Sequence, residues 1–222
     1  MKIGVIIAMD IEYRKLCDTL GGKAEGHING NEVVLWQCGI GKVNATVGTM
    51  NLLRQHGPDC ILSTGLAGGI DNGLSVMDVV VGSHTAYHDV WCGEGNEPGQ
   101  VQGLPARFEA DPRLLRYARQ VATSTDVKEG LICTGDQFIT DKAALAVIKK
   151  RFPEALACEM ESAAIAHTCH LMQVPFLSIR VISDTPGNTD NHAVQWADFI
   201  ASMSERSFQF VAKFLSALPN QL

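Results

Sequence analysis

Met1-Lys2-Ile3-Gly4-Val5-Ile6-Ile7-Ala8-Met9-Asp10-Ile11-Glu12 is the stretch on which the fold turns. An apolar run of strand length meets two acids at once, and it is too short for a signal peptide or a membrane span. We read it as a first buried strand that hands over to a helix, with Asp10 capping the helix and Glu12 free to point into a cleft. For both acids a helix-start role is an equal alternative at this point. The same alternation continues outward. Strands are expected at about residues 2–8, 33–38, 60–66, 76–84, 129–134, 155–158 and 176–182. Helical patterns fill roughly 10–20, 42–56, 111–123, 140–151, 160–172 and 195–217, the last with Phe199, Ile200, Met203, Val211, Phe214 and Leu218 on one face. Strands alternating with helices predict an α/β fold on a largely buried sheet, and with no repeat or linker residues 1–222 are expected to form a single domain.

Composition narrows the class of protein. With 222 residues, 46% of them hydrophobic and 19% charged, the chain can bury a sizeable core, which excludes a disordered tail, a disulfide miniprotein or a collagen-like chain. A net charge of -6 argues against nucleic acid, whose binders need clustered Lys and Arg. The odd set of seven cysteines contains no Cys-x-x-Cys pair and sits mostly in apolar runs, as expected of reduced thiols in a cytoplasmic protein. One stretch breaks the rhythm. Residues 86–106 carry Trp91 and six glycines and prolines without periodicity, the mark of a lid, a binding loop, an interface or a surface insertion.

Acids at strand ends are the chemistry-bearing feature, because ligands of open α/β sheets bind beyond the carboxyl ends of the strands. Glu12 follows the first strand. Cys158-Glu159-Met160-Glu161 sits at a strand-to-helix turn, where two carboxylates can grip a diol while the thioether packs on a ring. Ser183-Asp184 ends the run from Phe176, with Arg180 on the same side if the alternation persists. Singly, each acid reads as a cap or a solvated group; three acids on three strand ends are more than capping requires. Two glycine-rich turns are expected after strands, at Gly39-Ile40-Gly41-Lys42 and Thr64-Gly65-Leu66-Ala67-Gly68-Gly69. The first misses the dinucleotide fingerprint at Asn44, and neither is a phosphate loop. His167 and His170 have a metal-like spacing but no third ligand at a matching position, and no Gly-x-Ser-x-Gly elbow is present.

Taken together, these blocks, with Gly135-Asp136-Gln137-Phe138-Ile139, resemble the 5'-methylthioadenosine/S-adenosylhomocysteine nucleosidases of the nucleoside phosphorylase superfamily. They fall in the family's order over nearly the whole chain. The resemblance implies a three-layer α/β/α fold with a central twisted mixed sheet. It implies hydrolysis of the bond joining adenine to a 5'-thio-substituted ribose, by water, with no metal and no organic cofactor. By similarity Asp184 is the acid at purine N7, Glu12 the base on water, Glu161 the ligand of the ribose hydroxyls, and Arg180 a further catalytic residue that helps place the water. Phe138 stacks on the purine, the Ile139 backbone meets its edge, Met160 packs on the sugar, and Trp196 lies near the purine or thioalkyl group, unless it is simply a core residue. Ile40, Leu66, Ala67, Gly68, Glu159 and Ser183 complete the expected substrate site. A cytoplasmic homodimer is implied too, with residues 86–106 near the interface and one subunit closing the other's thioalkyl pocket; neither nucleic acid nor membrane is an expected partner.

Two departures stand out. Leu66 replaces a serine common at the edge of the ribose site, and residues 185–194 are longer than the usual approach to the lid. The competing readings are a phosphorolytic purine nucleoside phosphorylase, a nucleosidase for another purine nucleoside such as futalosine, and a catalytically silent nucleoside-binding or storage relative. Ser63 stands where many phosphorylases carry an arginine, which favours hydrolysis.

Overall fold

A computed structural model of the chain describes residues 1–122, 126–186, 192–202 and 208–222. In chain order the elements are β1 (Lys2–Ile7), α1 (Asp10–Asp18), β2 (Glu25–Ile28), β3 (Asn31–Gln37), α2 (Lys42–His56), β4 (Cys60–Gly69), β5 (Val79–Tyr87), β6 (Phe108–Glu109), α3 (Pro112–Val121), β7 (Val127–Thr134), α4 (Lys142–Arg151), β8 (Ala155–Glu159), α5 (Ser162–Met172), β9 (Phe176–Asp184), α6 (His192–Ser202) and α7 (Gln209–Ala217).

The nine strands form one mixed sheet. β1 lies parallel between β3 and β4, and its period of two sends side chains to both faces. Ile3, Val5 and Ile7 join Val33, Leu35 and Leu62 in a core shared with α1, α3, α6 and α7. Ile6, Val34 and Ile61 face the opposite way, into a core with α2 and α5. Helices therefore cover both faces, as the run of apolar strand residues predicts. Beyond β4 the sheet turns on itself. β4 pairs β8, β8 pairs β7, β7 pairs β5, and β9 bridges β5 back to β4, so five strands close a ring.

Several boundaries differ from the sequence reading. β2 was not anticipated. It is a charged edge strand folded antiparallel onto β3 through the two-residue turn Asn29-Gly30, both at positive φ. The glycine-rich run after Thr64 is not a turn, because β4 continues to Gly69, paired with β8 and β9. The C-terminal apolar face is divided between α6 and α7, with Phe199, Val211, Phe214 and Leu218 buried; Met203 lies outside the described residues. Thr123 and Gly187 to Asn191, the middle of the lid approach, lie outside them as well.

Candidate active site

The carboxyl ends of β1, β4, β8 and β9 converge on a cavity of about 270 Å³. On its wall are Glu12, Glu161 and Asp184, together with Ile40, Leu66, Ala67, Gly68, Phe138, Ile139, Glu159, Met160, Ser183 and Trp196. Of the expected site residues, Arg180 alone is off this wall. Ala8, Met9, Gln137 and Cys158 also line it; all four fall inside the stretches quoted above, but none carries the acid that marks its neighbours.

Glu12 is 2% exposed, and each of its oxygens accepts a backbone N–H: Oε2 from Met9 at 2.9 Å and Oε1 from Leu66 at 2.8 Å. The start of α1 is thus closed by Glu12 reaching back to Met9. Asp10 does not cap; it pairs with Arg14 in solvent at 2.8 Å. Burial raises the Glu12 carboxyl above its ordinary range, against the lowering effects of the Met9 amide, Arg180 and the Leu66 amide. Gly65 makes this placement possible. A Cβ there would fall 2.6 Å from Arg180 Nη1 and 2.8 Å from Glu12 Oε1.

The two glutamates around Met160, expected to share a grip on a diol, have different protein partners. Glu159 is held wholly by protein. Its Oε2 takes Arg180 Nη2 at 2.7 Å, the Glu161 amide at 3.0 Å and the Ser162 amide at 2.8 Å, and its Oε1 takes the Thr134 hydroxyl. Thr134 Oγ1 in turn accepts the Ala163 amide at 2.8 Å. These contacts satisfy the first amides of α5, where the helix dipole favours negative charge. Arg180 lies behind the cavity, also bonded to Ser63 Oγ at 2.8 Å and Ser162 Oγ at 2.9 Å. Glu161 also lines the cavity and has fewer protein partners. Its Oε1 accepts the Gly41 amide at 2.9 Å, while its Oε2 stays 4.0 Å from Arg180. Burial and the nearby Glu159 charge push its carboxyl well up, although Arg180 and the Gly41 amide oppose them.

Asp184, 1% exposed, ends β9 beside Gly68, and the Ser183 hydroxyl donates to its Oδ1 at 2.7 Å. At the mouth, the Phe138 and Trp196 rings meet edge to face at 5.9 Å. The Thr185 amide and hydroxyl donate to Gln195 Oε1 at 3.0 and 3.2 Å, pinning α6 to the end of β9. His167 is not a ligand candidate here. It stacks on Phe108 with 5.1 Å between ring centroids and meets the Tyr87 hydroxyl through Nδ1.

Comparison with known proteins identifies the family and the fold. The phosphorylase superfamily profile matches residues 2–216. A 5'-methylthioadenosine/S-adenosylhomocysteine nucleosidase of Chromohalobacter salexigens is 42% identical over 98% of this chain and 97% of its own. The fold is similar to that of the Streptococcus pneumoniae nucleosidase solved with a transition-state inhibitor, MT-ImmA (TM-score 0.92, 35% identity, 99% of this chain and 100% of that one). It is similar also to the Colwellia psychrerythraea nucleosidase in complex with adenine (TM-score 0.91, 35% identity, 100% and 97%). A futalosine hydrolase of Helicobacter pylori is further off in sequence, at 25% identity and a TM-score of 0.88 over 98% of this chain and 100% of that one.

Proposed function

The chain belongs to the 5'-methylthioadenosine/S-adenosylhomocysteine nucleosidases of the phosphorylase superfamily, and from that premise we propose how its cavity works. The reaction is hydrolysis of the N-glycosidic bond of 5'-methylthioadenosine and S-adenosylhomocysteine, releasing adenine and the 5'-thioribose. As the bond breaks, positive charge builds on the ribose and negative charge on the purine. Asp184 meets the second need by giving a proton to purine N7, and its neighbouring oxygen reads the exocyclic amine. Glu12 meets the first by orienting a water and taking its proton; a carboxyl raised by burial is the stronger base. The observation that carries this reading is the pair of nearly inaccessible carboxylates, Glu12 beside Gly65 and Asp184 beside Gly68, on one cavity wall.

Glu161 binds the ribose hydroxyls and Met160 packs on the sugar. Phe138 and Trp196 enclose the purine and thioalkyl ends, with the Ile139 backbone at the base edge. Arg180 holds Glu159, Ser63 and Ser162 through Nη2 and Nε, while its Nη1 stands beside Gly65 near Glu12, where it helps place the water. Among the described residues no Lys or Arg lines the cavity, which disfavours a bound phosphate and so favours water as the nucleophile.

The test is adenine release from methylthioadenosine in phosphate-free buffer with a chelator present. Undiminished turnover supports hydrolysis without phosphate or metal. A requirement for phosphate makes the enzyme a phosphorylase, and faster cleavage of a futalosine-like nucleoside moves it to that relative. We place the single-domain enzyme in the cytoplasm, in recycling of methylthioadenosine towards methionine, consistent with seven free thiols. We also propose a homodimer with the 86–106 loop near the interface. Exposed Val43 and Val47, one turn apart on α2, and exposed Trp91 in that loop supply apolar surface for it. Light scattering that gives a monomer at micromolar concentration overturns the dimer.

A further inference from the structure

The loop after β5 begins with His88-Asp89, and neither residue lines the cavity, yet both hold segments that do. Asp89 Oδ2 accepts the Lys42 ammonium at 2.8 Å and the backbone N–H of Asp136 at 2.9 Å. Asp136 answers in the other direction. Its Oδ1 accepts the backbone N–H of Lys42 at 2.8 Å, and its Oδ2 stands 3.5 Å from the ammonium. Three segments are thereby closed into a ring: the turn before α2, the end of β5 and the segment after β7. The first carries the Gly41 amide that donates to Glu161. The last carries Phe138 and Ile139 on the cavity wall. Although burial raises the Asp89 carboxyl, the Lys42 ammonium and the Asp136 amide outweigh it and leave the group below the ordinary carboxylate range.

His88 acts on the same segment by shape. Its backbone N–H donates to the Thr134 carbonyl at 2.8 Å, and its buried imidazole fills the space beside Gly135, where any Cβ would collide with Cε1 and Nε2. Nε2 has no partner among the described residues, so the ring works as a wedge rather than a hydrogen-bonding post.

We propose that His88 and Asp89 are positioning residues, which fix the purine wall at Gln137 to Ile139 relative to the ribose contact made by Glu161. The proposal rests on the hydrolytic reading above. Partly exposed ion pairs contribute little to global stability. Charge-assisted bonds to backbone amides fix geometry, however, and small misplacement of a binding wall weakens substrate binding out of proportion.

The experiment measures adenine-release kinetics, thermal unfolding and amide hydrogen exchange for Asp89→Asn and Lys42→Met. We expect KM to rise about tenfold with kcat held within about threefold, the pattern of lost uniform binding. Amides 136–139 exchange faster while the melting temperature stays nearly constant, and the double variant is less than additive. Wild-type KM and wild-type exchange at 136–139 in both variants overturn the proposal. So does a fall in melting temperature with exchange raised evenly along the chain, which marks a purely structural role. If the wild type releases no adenine, the hydrolytic reading fails, while exchange at 136–139 still decides whether the clamp exists.

Discussion

The Arg180 guanidinium meets the Glu159 carboxylate at 2.7 Å with the two side chains 2% and 3% exposed, and this pair joins β9 to the end of β8. Removing one partner leaves the other as a buried charge. Arg180→Met is therefore expected to cost about 3–5 kcal/mol in urea unfolding. A cost under about 1 kcal/mol would show that Glu159 is satisfied without it.

For the chemistry itself, Asp184→Asn and Glu12→Gln should each lower kcat by about 10²–10⁴ in the adenine-release assay. Thermal unfolding should show both variants folded. Full activity in either removes that residue from its role.

Gly65→Ala tests the fit between strand and base. The new Cβ would crowd Arg180 Nη1 and Glu12 Oε1, and the φ of +152° adds strain. Activity is expected to drop at least about tenfold through displaced Glu12, with kcat affected more than KM. An unchanged kcat would mean that Glu12 tolerates the shift.

Protonation of Glu161 links stability to pH. Burial and Glu159 raise its carboxyl from 4.5 to about 8. The folded protein thus keeps a proton that the unfolded chain releases, so its contribution is complete below the unfolded value and is lost as pH rises through the folded one. Unliganded protein should melt higher at about pH 5.5 than at about pH 8.5, and Glu161→Gln should flatten that fall by on the order of 1 kcal/mol. An identical slope in the variant would assign the effect elsewhere, Glu12 being the other carboxyl raised by burial.

At the mouth, Phe138→Ala removes an exposed ring that meets Trp196 edge to face. An aromatic contact of about 0.5–1.5 kcal/mol predicts a KM roughly two- to tenfold higher with kcat little changed. Titration with adenine, followed by tryptophan fluorescence, checks the same loss directly.

Much of this was legible in the chain. The order of strands and helices follows from apolar periodicity, and the three strand-end acids point to the cavity they line. Asn29-Gly30 was legible too, as the strongest short signal for a hairpin, but the polar Glu25-Gly26-His27-Ile28 beside it hid an edge strand that buries little. Gly65 to Gly69 read as a turn because glycine is commonest there; in β4 a Cβ at Gly65 would meet Arg180 and Glu12, and one at Gly69 would press on Ile182. Glu159 looked like a ligand for the same reason as Glu161. What separates them is Thr134, 25 residues upstream, and Arg180 on another strand, partners that only the folded topology brings together.

The ring of strands β4, β8, β7, β5 and β9 constrains how such an enzyme can diversify. In an open sheet an edge strand can slip or be replaced, whereas here a one-residue shift in β4 must be matched by every other member before the circuit closes again. The backbones carrying Glu159 and Asp184 are locked in mutual register by that circuit. New substrate preference is left to the side chains and segments hung on its rim, with Leu66, Phe138 and Trp196 as the places where mutation can explore without dismantling the frame.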